Sequence, residues 1–274
     1  QYGDITKVSG YKIEPVDIIS FGSPCNNLSL AGNRKGFDGD ESVLFYEAVR
    51  IINEMREGTN GEYPKFIIWE NVVGALSSNG GNDFKCVLEE ITKTKISIPR
   101  SNKWSRSGMV RANRCNLEWR VFNSQYWGVP HSRERIFLVA DFRTDRGSCG
   151  EILFEQQRMS RNTSESKDNE KTSSSNNANC IRTTGEGKQV TSTVFASYGT
   201  KWNGNNGAYT GSHFVLETNG RLRRLTPLEC ERLLGFPDNW TKGFKDTIRY
   251  RMCGNSVVIP IIDWIYKRIY NSIK

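Results

Sequence analysis

Four short apolar runs, each closing on glycine or polar residues, constrain this chain most. Val16-Asp17-Ile18-Ile19-Ser20-Phe21-Gly22 has the pattern of a buried strand feeding a loop, and Phe66-Ile67-Ile68-Trp69 repeats it before Glu70-Asn71-Val72. Trp119-Arg120-Val121-Phe122 and Arg135-Ile136-Phe137-Leu138-Val139-Ala140 supply the other two. Between the first two runs, residues 42–57 space their apolar positions as a helix does. Strands alternating with helical stretches predict an α/β domain around a mainly parallel sheet. Ligands of such sheets gather beyond the carboxyl ends of the strands, so residues 23–27 and 70–73 are where chemistry is expected.

The pattern changes near residue 144. Residues 161–179 are almost wholly Ser, Thr, Asn, Lys and Glu, too poor in apolar groups to bury a core, and read as a flexible loop. Val190–Tyr198 and His213–Leu216 read as strand-like, with a Gly/Asn-rich turn region over 201–211 between them. Thr226-Pro227-Leu228-Glu229 has the N-cap threonine, first-turn proline and N3 glutamate of a helix start, and 257–269 reads as a last helix. A boundary at 143 follows, with 159–180 flexible beyond it.

A formal charge of +8 favours a polyanionic partner, and residues 221–274 concentrate it, with eleven Lys or Arg against five Asp or Glu. The seven cysteines include no Cys-x-x-Cys pair, so reduced thiols and no structural metal are expected. No apolar stretch is long enough for a membrane span and residues 1–4 have no signal-peptide character, which makes the cytoplasm the expected compartment.

Four segments carry chemistry when taken in order: Phe21-Gly22-Ser23-Pro24-Cys25; Trp69-Glu70-Asn71-Val72; Gly128-Val129-Pro130-His131-Ser132-Arg133-Glu134-Arg135-Ile136; and Arg224-Leu225-Thr226-Pro227-Leu228-Glu229-Cys230-Glu231-Arg232-Leu233-Leu234-Gly235-Phe236-Pro237 followed by Gly254-Asn255-Ser256-Val257. This set resembles the cytosine-5 DNA methyltransferases of bacteria and phages. The resemblance implies a Rossmann-like fold that uses S-adenosylmethionine over 1–143, and a small, irregular, partly β target-recognition domain over 144–249. Over 250–274 it implies a C-terminal helix returning to the catalytic part.

It also implies roles. Carbon 5 of cytosine is a poor nucleophile until a thiolate adds at carbon 6, and Cys25, on a loop after a strand, is similar to the family's nucleophile. Charge pushed into the ring must be absorbed at N3, the place of Glu70, whose role requires a carboxyl that holds a proton near neutrality. Arg135 resembles the arginine at the O2 edge of the base, and Arg133 its companion behind the nucleophile loop. The base must leave the duplex to be reached, and the glycine-containing segment 26–40, with Arg34 and Lys35, is similar to the loop that closes over it. Arg221, Arg223 and Arg224 resemble the family's DNA contacts. Asp4 and Ile5, Pro24, and Asn255 with Ser256 fall where the family contacts the adenine and methionine parts of the cofactor.

Two departures stand out. The family's Phe-x-Gly-x-Gly-Gly cofactor loop does not precede Gln1, so a further N-terminal segment, or a second polypeptide completing the cofactor site, is expected. Asn26 and His131 stand where glutamine is usual. Methylation of transfer RNA, or DNA binding by a subunit inactive without an N-terminal partner, are the alternative readings.

Overall fold

The computed structural model describes residues 2–23, 40–143, 150–154, 191, 193–194, 196–199, 214–216 and 222–274. Pro24, Cys25, Asn26, Arg34, Lys35, Arg221, the expected flexible loop and the 201–211 turn region lie outside them. Contacts divide the chain into two compact units, one of residues 1–122, 135–156 and 268–274 and one of residues 123–134 and 157–267.

The first unit holds a five-stranded sheet in the order β1-β2-β5-β4-β3, built from β1 (Ile18–Phe21), β2 (Phe66–Val72), β3 (Ser107–Arg111), β4 (Asn116–Asn123) and β5 (Glu134–Asp141). β1 and β2 run parallel because helix α1 (Asp40–Gly58) carries the chain back between them. The expected mainly parallel sheet is not what forms: β2 pairs with β5, and β3 with β4, antiparallel. The physical reason is connection length. The link from Arg111 to Asn116 is a tight turn closed by Ala112 N donating to Cys115 O at 3.2 Å, and a turn that short cannot make a crossover.

α1 buries Phe45, Ala48, Val49, Ile52 and Met55, one face at 3–4-residue spacing. Helix α2 (Asn82–Thr92) does the same with Phe84, Val87, Leu88 and Ile91, and ends where Lys93 turns left-handed at φ 53°. Phe84 is the centre of an aromatic cluster, with ring centroids 6.1 Å from Trp69, 5.6 Å from Trp104 and 5.4 Å from Trp119. β2 lies at this core: Phe66 to Trp69 are all essentially inaccessible.

The second unit contains a two-stranded ribbon, β6 (Phe214–Leu216) against β7 (Leu222–Arg224), and the helices α3 (Pro227–Leu234) and α4 (Asp246–Asn255). α3 has the expected capping box, with Thr226 and Glu229 each bonding the other's backbone N–H, and Gly235 closes it at φ 78°. Of the Val190–Tyr198 strand expectation, the described residues show one isolated bridge, Thr191 to His131, and a single helical turn over Ala196–Gly199. The last helix, α5, runs Ile259–Ile273. No helix among the described residues is long and apolar enough to cross a membrane.

Replacing Phe84 by Ala would leave a void touching three tryptophans, at a cost of about 3–5 kcal/mol. Against a total stability of about 5–15 kcal/mol, urea denaturation should show a large fall in the unfolding midpoint.

Candidate active site

Because β1 and β2 are parallel and Phe21 pairs with Trp69, the residues that leave the two strands emerge at the same edge of the sheet. A Cβ placed on Gly22 would lie 3.4 Å from Glu70 Oε2, so the Glu70 carboxylate stands directly over the start of the loop that leads to Cys25. Two further bonds fix that start. The Asn71 amide donates to Ser23 O at 2.7 Å, and Trp69 Nε1 donates to Ser23 Oγ at 3.3 Å. Both are buried, where competing water is excluded and each bond restrains the chain more. Nothing in the sequence marks Asn71 and Ser23 as positioning residues, although Asn71 stands in the Trp-Glu-Asn-Val segment beside Glu70.

Arg135 enters from β5. In the antiparallel register Val72 faces Arg135 and Glu70 faces Phe137, which brings the Arg135 Nε to 3.2 Å from Glu70 Oε1. Both side chains are 17% exposed, so this is a half-buried pair with one open side. Burial depresses the Arg135 guanidinium below its ordinary value, and the Glu70 charge partly offsets that. A carboxyl and a guanidinium side by side at the mouth of a loop can address two adjacent polar atoms of one planar ring.

Two candidate cofactor residues lie in the same unit. Asp4 caps the turn Ile5–Lys7, its Oδ1 accepting from Thr6 N at 3.0 Å and Thr6 Oγ1 at 2.8 Å. Those bonds hold its carboxyl below the ordinary value, which keeps it ionised. Ile5 is tied to α1 through its carbonyl, which accepts from Arg50 Nη2 at 3.3 Å.

In the second unit Arg133 is buried, and both of its terminal nitrogens donate to backbone carbonyls. Its Nη2 donates to Gly254 O at 3.0 Å and Ser256 O at 2.8 Å, and Nη1 to Val194 O at 3.3 Å. Arg133 therefore clamps the segment on either side of Asn255, whose side chain is left exposed at the end of α4. His131, wholly buried, accepts from Val194 N at 3.2 Å through Nε2, so a neutral ring carries its proton on Nδ1.

Among the expected DNA contacts, Arg223 forms a two-pronged pair with Glu229, at 2.8 and 2.9 Å, and Arg224 lies 5.7 Å from the Tyr198 ring centroid. Arg223 thus braces the capping box of α3. For Glu229, burial pushes the carboxyl up, but the bonds from Arg223 and Thr226 outweigh it and leave the group below its ordinary value.

Each unit by itself carries groups of the kind an S-adenosylmethionine molecule can use: in the first, Asp4 is an ionised acceptor with one oxygen outside any bond to a described residue, and in the second, Asn255 and Ser256 present an exposed amide and a half-buried hydroxyl.

A family model described as C-5 cytosine-specific DNA methylase matches residues 1–148 and 141–271, and the chain belongs to that family. Among its relatives, the type II methyltransferase M.HhaI of Haemophilus parahaemolyticus is 26% identical over 298 residues, a match that takes in 99% of this chain and 81% of the relative. M1.ScrFI of Lactococcus lactis subsp. cremoris is 28% identical over 98% of this chain and 66% of its own length. A DNA N-6-adenine-methyltransferase of Escherichia phage P1 is 24% identical over 99% of this chain, which spans only 55% of that relative. Among solved structures, the Dnmt2 methyltransferase of S. pombe superposes with a TM-score of 0.59 at 15% identity, covering 100% of this chain and 85% of its own. The Entamoeba histolytica methyltransferase EhMeth gives 0.59 at 22%, covering 100% and 83%. These likenesses confirm the methyltransferase fold expected from sequence.

Two outcomes follow from this geometry. Asn71→Ala releases the Ser23 carbonyl, and a misplaced loop should lower kcat of methyl transfer by on the order of 10²-fold with a smaller change in KM. Since the native carboxyl of Glu229 lies below its ordinary 4.5, its contribution to stability is full above that value and is lost as pH falls through the lowered one. Urea midpoints measured on the acid side should therefore fall less steeply for Glu229→Gln than for the parent.

Proposed function

We propose that this chain transfers a methyl group from S-adenosylmethionine to carbon 5 of a cytosine extruded from duplex DNA, with Cys25 as the nucleophile. The observation that carries this reading is the convergence at one sheet edge of Glu70, Arg135 and the anchored Ser23, two residues before Cys25. Family membership gives that convergence its chemical meaning.

The Cys25 thiolate adds to carbon 6, and the displaced electron pair leaves carbon 5 nucleophilic while negative charge builds at N3 and O2. Glu70 supplies a proton or hydrogen bond at N3, and Arg135 donates to O2. The bound cofactor supplies an electrophilic methyl group. Once carbon 5 carries the methyl group, its proton passes to solvent, and the electron pair returned to the ring breaks the bond between Cys25 sulfur and carbon 6 and regenerates the thiolate.

Arg133 acts one step back, fixing the backbone around Asn255 and Ser256, which together with Asp4, Ile5 and Pro24 hold the cofactor. Arg34, Lys35, Arg221 and Arg224 face the phosphates, and residues 144–249 read the target sequence. Arg223, through Glu229, orients the start of α3. The relatives named type II methyltransferases favour a restriction-modification or phage setting.

Incubation with duplex DNA carrying 5-fluorocytosine and S-adenosylmethionine should give a denaturant-stable protein–DNA adduct, because fluorine cannot leave as a proton does. Cys25→Ser should give none. Glu70→Gln should slow turnover on ordinary DNA by about 10²–10⁴-fold. An adduct formed by Cys25→Ser, or none by the parent chain, would overturn the mechanism.

A further inference from the structure

The first unit has a concave surface at the other end of its sheet from Glu70. The last turns of α1, the end of α2 and the β3–β4 turn flank an open cleft of about 510 Å³ whose lining includes Asn53, Arg56, Glu57, Lys93 and Arg114. Its position follows from the sheet. Arg56 Nη1 donates to Pro64 O at 2.8 Å just before β2 begins, and its guanidinium lies 4.3 Å from the ring centroid of Phe142, which follows the end of β5.

Three cations meet one carboxylate in this lining. Glu57 takes the Tyr11 hydroxyl, and Lys93 pairs with Glu90 at 2.6 Å, outside the cleft lining. The two arginines are different. Arg114 also faces the Phe142 ring, at 5.8 Å, so two guanidiniums gather about one aromatic ring. Among the described residues neither has a carboxylate within salt-bridge distance, whereas Arg50, Arg143, Arg223, Arg232 and Arg249 all do. Arg114 gives Nη2 to the Asn53 amide oxygen, but its Nε is buried with no partner among the described residues. Burial, and then the charge of Arg114, depress the Arg56 guanidinium below its ordinary value, the mark of like charges held together in a poorly solvated place. Folding concentrates positive charge here, and among the described lining residues Glu57 is the one carboxylate set against three cations.

We propose that this cleft binds a small phosphate-bearing ligand, its oxyanion held between Arg56 and Arg114 with Lys93 at the rim. Planar guanidiniums match phosphate oxygens with paired, charge-assisted bonds, and an anion between the two arginines converts their repulsion into attraction. The volume falls within the range of about 300–1,000 Å³ typical of small-molecule sites. A DNA backbone is the other source of phosphate, and the cleft stands at the opposite end of β2 from Glu70.

Titration calorimetry of the full chain with inorganic pyrophosphate at low ionic strength tests this. Saturable one-to-one binding is expected, weakened about tenfold or more by Arg114→Gln and partly restored by Arg114→Lys, with no change for the exposed Lys267→Gln. Pyrophosphate should also raise the thermal midpoint of the parent and not that of Arg114→Gln, which separates a lost site from a lost fold. Absence of saturable binding by the parent, or equal affinity in Arg114→Gln, overturns the site. Displacement of pyrophosphate by short duplex DNA but not by a nucleoside monophosphate overturns the assignment to a small ligand.

Discussion

The parallel pairing of β1 with β2 is the constraint on which the candidate active site depends. Strand residues alternate faces, so a slip of one position would move Glu70 to the other side of the sheet from the Gly22 backbone it now overhangs. The register is held from both directions. Ile67 and Trp69 are sunk in the aromatic core, and the Asn71 and Trp69 bonds to Ser23 tie the two strand ends together. Apolar burial and two directed bonds thus agree on one alignment, and chemistry at the loop inherits its precision from them.

Antiparallel β5 adds what parallel neighbours could not. A strand running the other way begins where β1 and β2 end, so Arg135, near the start of β5, arrives at the edge where Glu70 leaves. The acid and the guanidinium come from strands of opposite direction, and neither needs a long loop to reach the site. Sites built on strand ends hold their geometry better than sites built on loops alone.

Much of this was legible in the sequence, for reasons that can be traced to particular residues. Strongly apolar runs such as Phe66–Trp69 and Ile136–Ala140 declare buried strands, and Thr226-Pro227-Leu228-Glu229 declares a helix start through local bonds alone. Strand direction was not legible, because it depends on whether a connection crosses the sheet, and the link to β5 gives no sign of that in its composition. α2 is hard to see in the sequence although Phe84, Val87, Leu88 and Ile91 have helical spacing, because its start at left-handed Gly81, without a side-chain cap, gives no boundary signal. Arg223 reads as a free cation in any one-dimensional count, and only the fold reveals its pairing with Glu229. The pairing of Asn71 with Ser23 joins residues 48 apart and has no sequence signature of its own.

That internal use of arginine bears on how strongly the protein grips a polyanion. Of the cations that make residues 221–274 so basic, Arg223, Arg232, Arg249 and Lys267 are paired with carboxylates, and Arg268 is spent on the backbone carbonyls of Glu151, Ile152 and Phe154. Only cations that displace condensed counterions steepen the dependence of affinity on salt. The segment's electrostatic reach is accordingly shorter than its composition suggests, and more of any discrimination it makes must come from shape and hydrogen bonding at the bases.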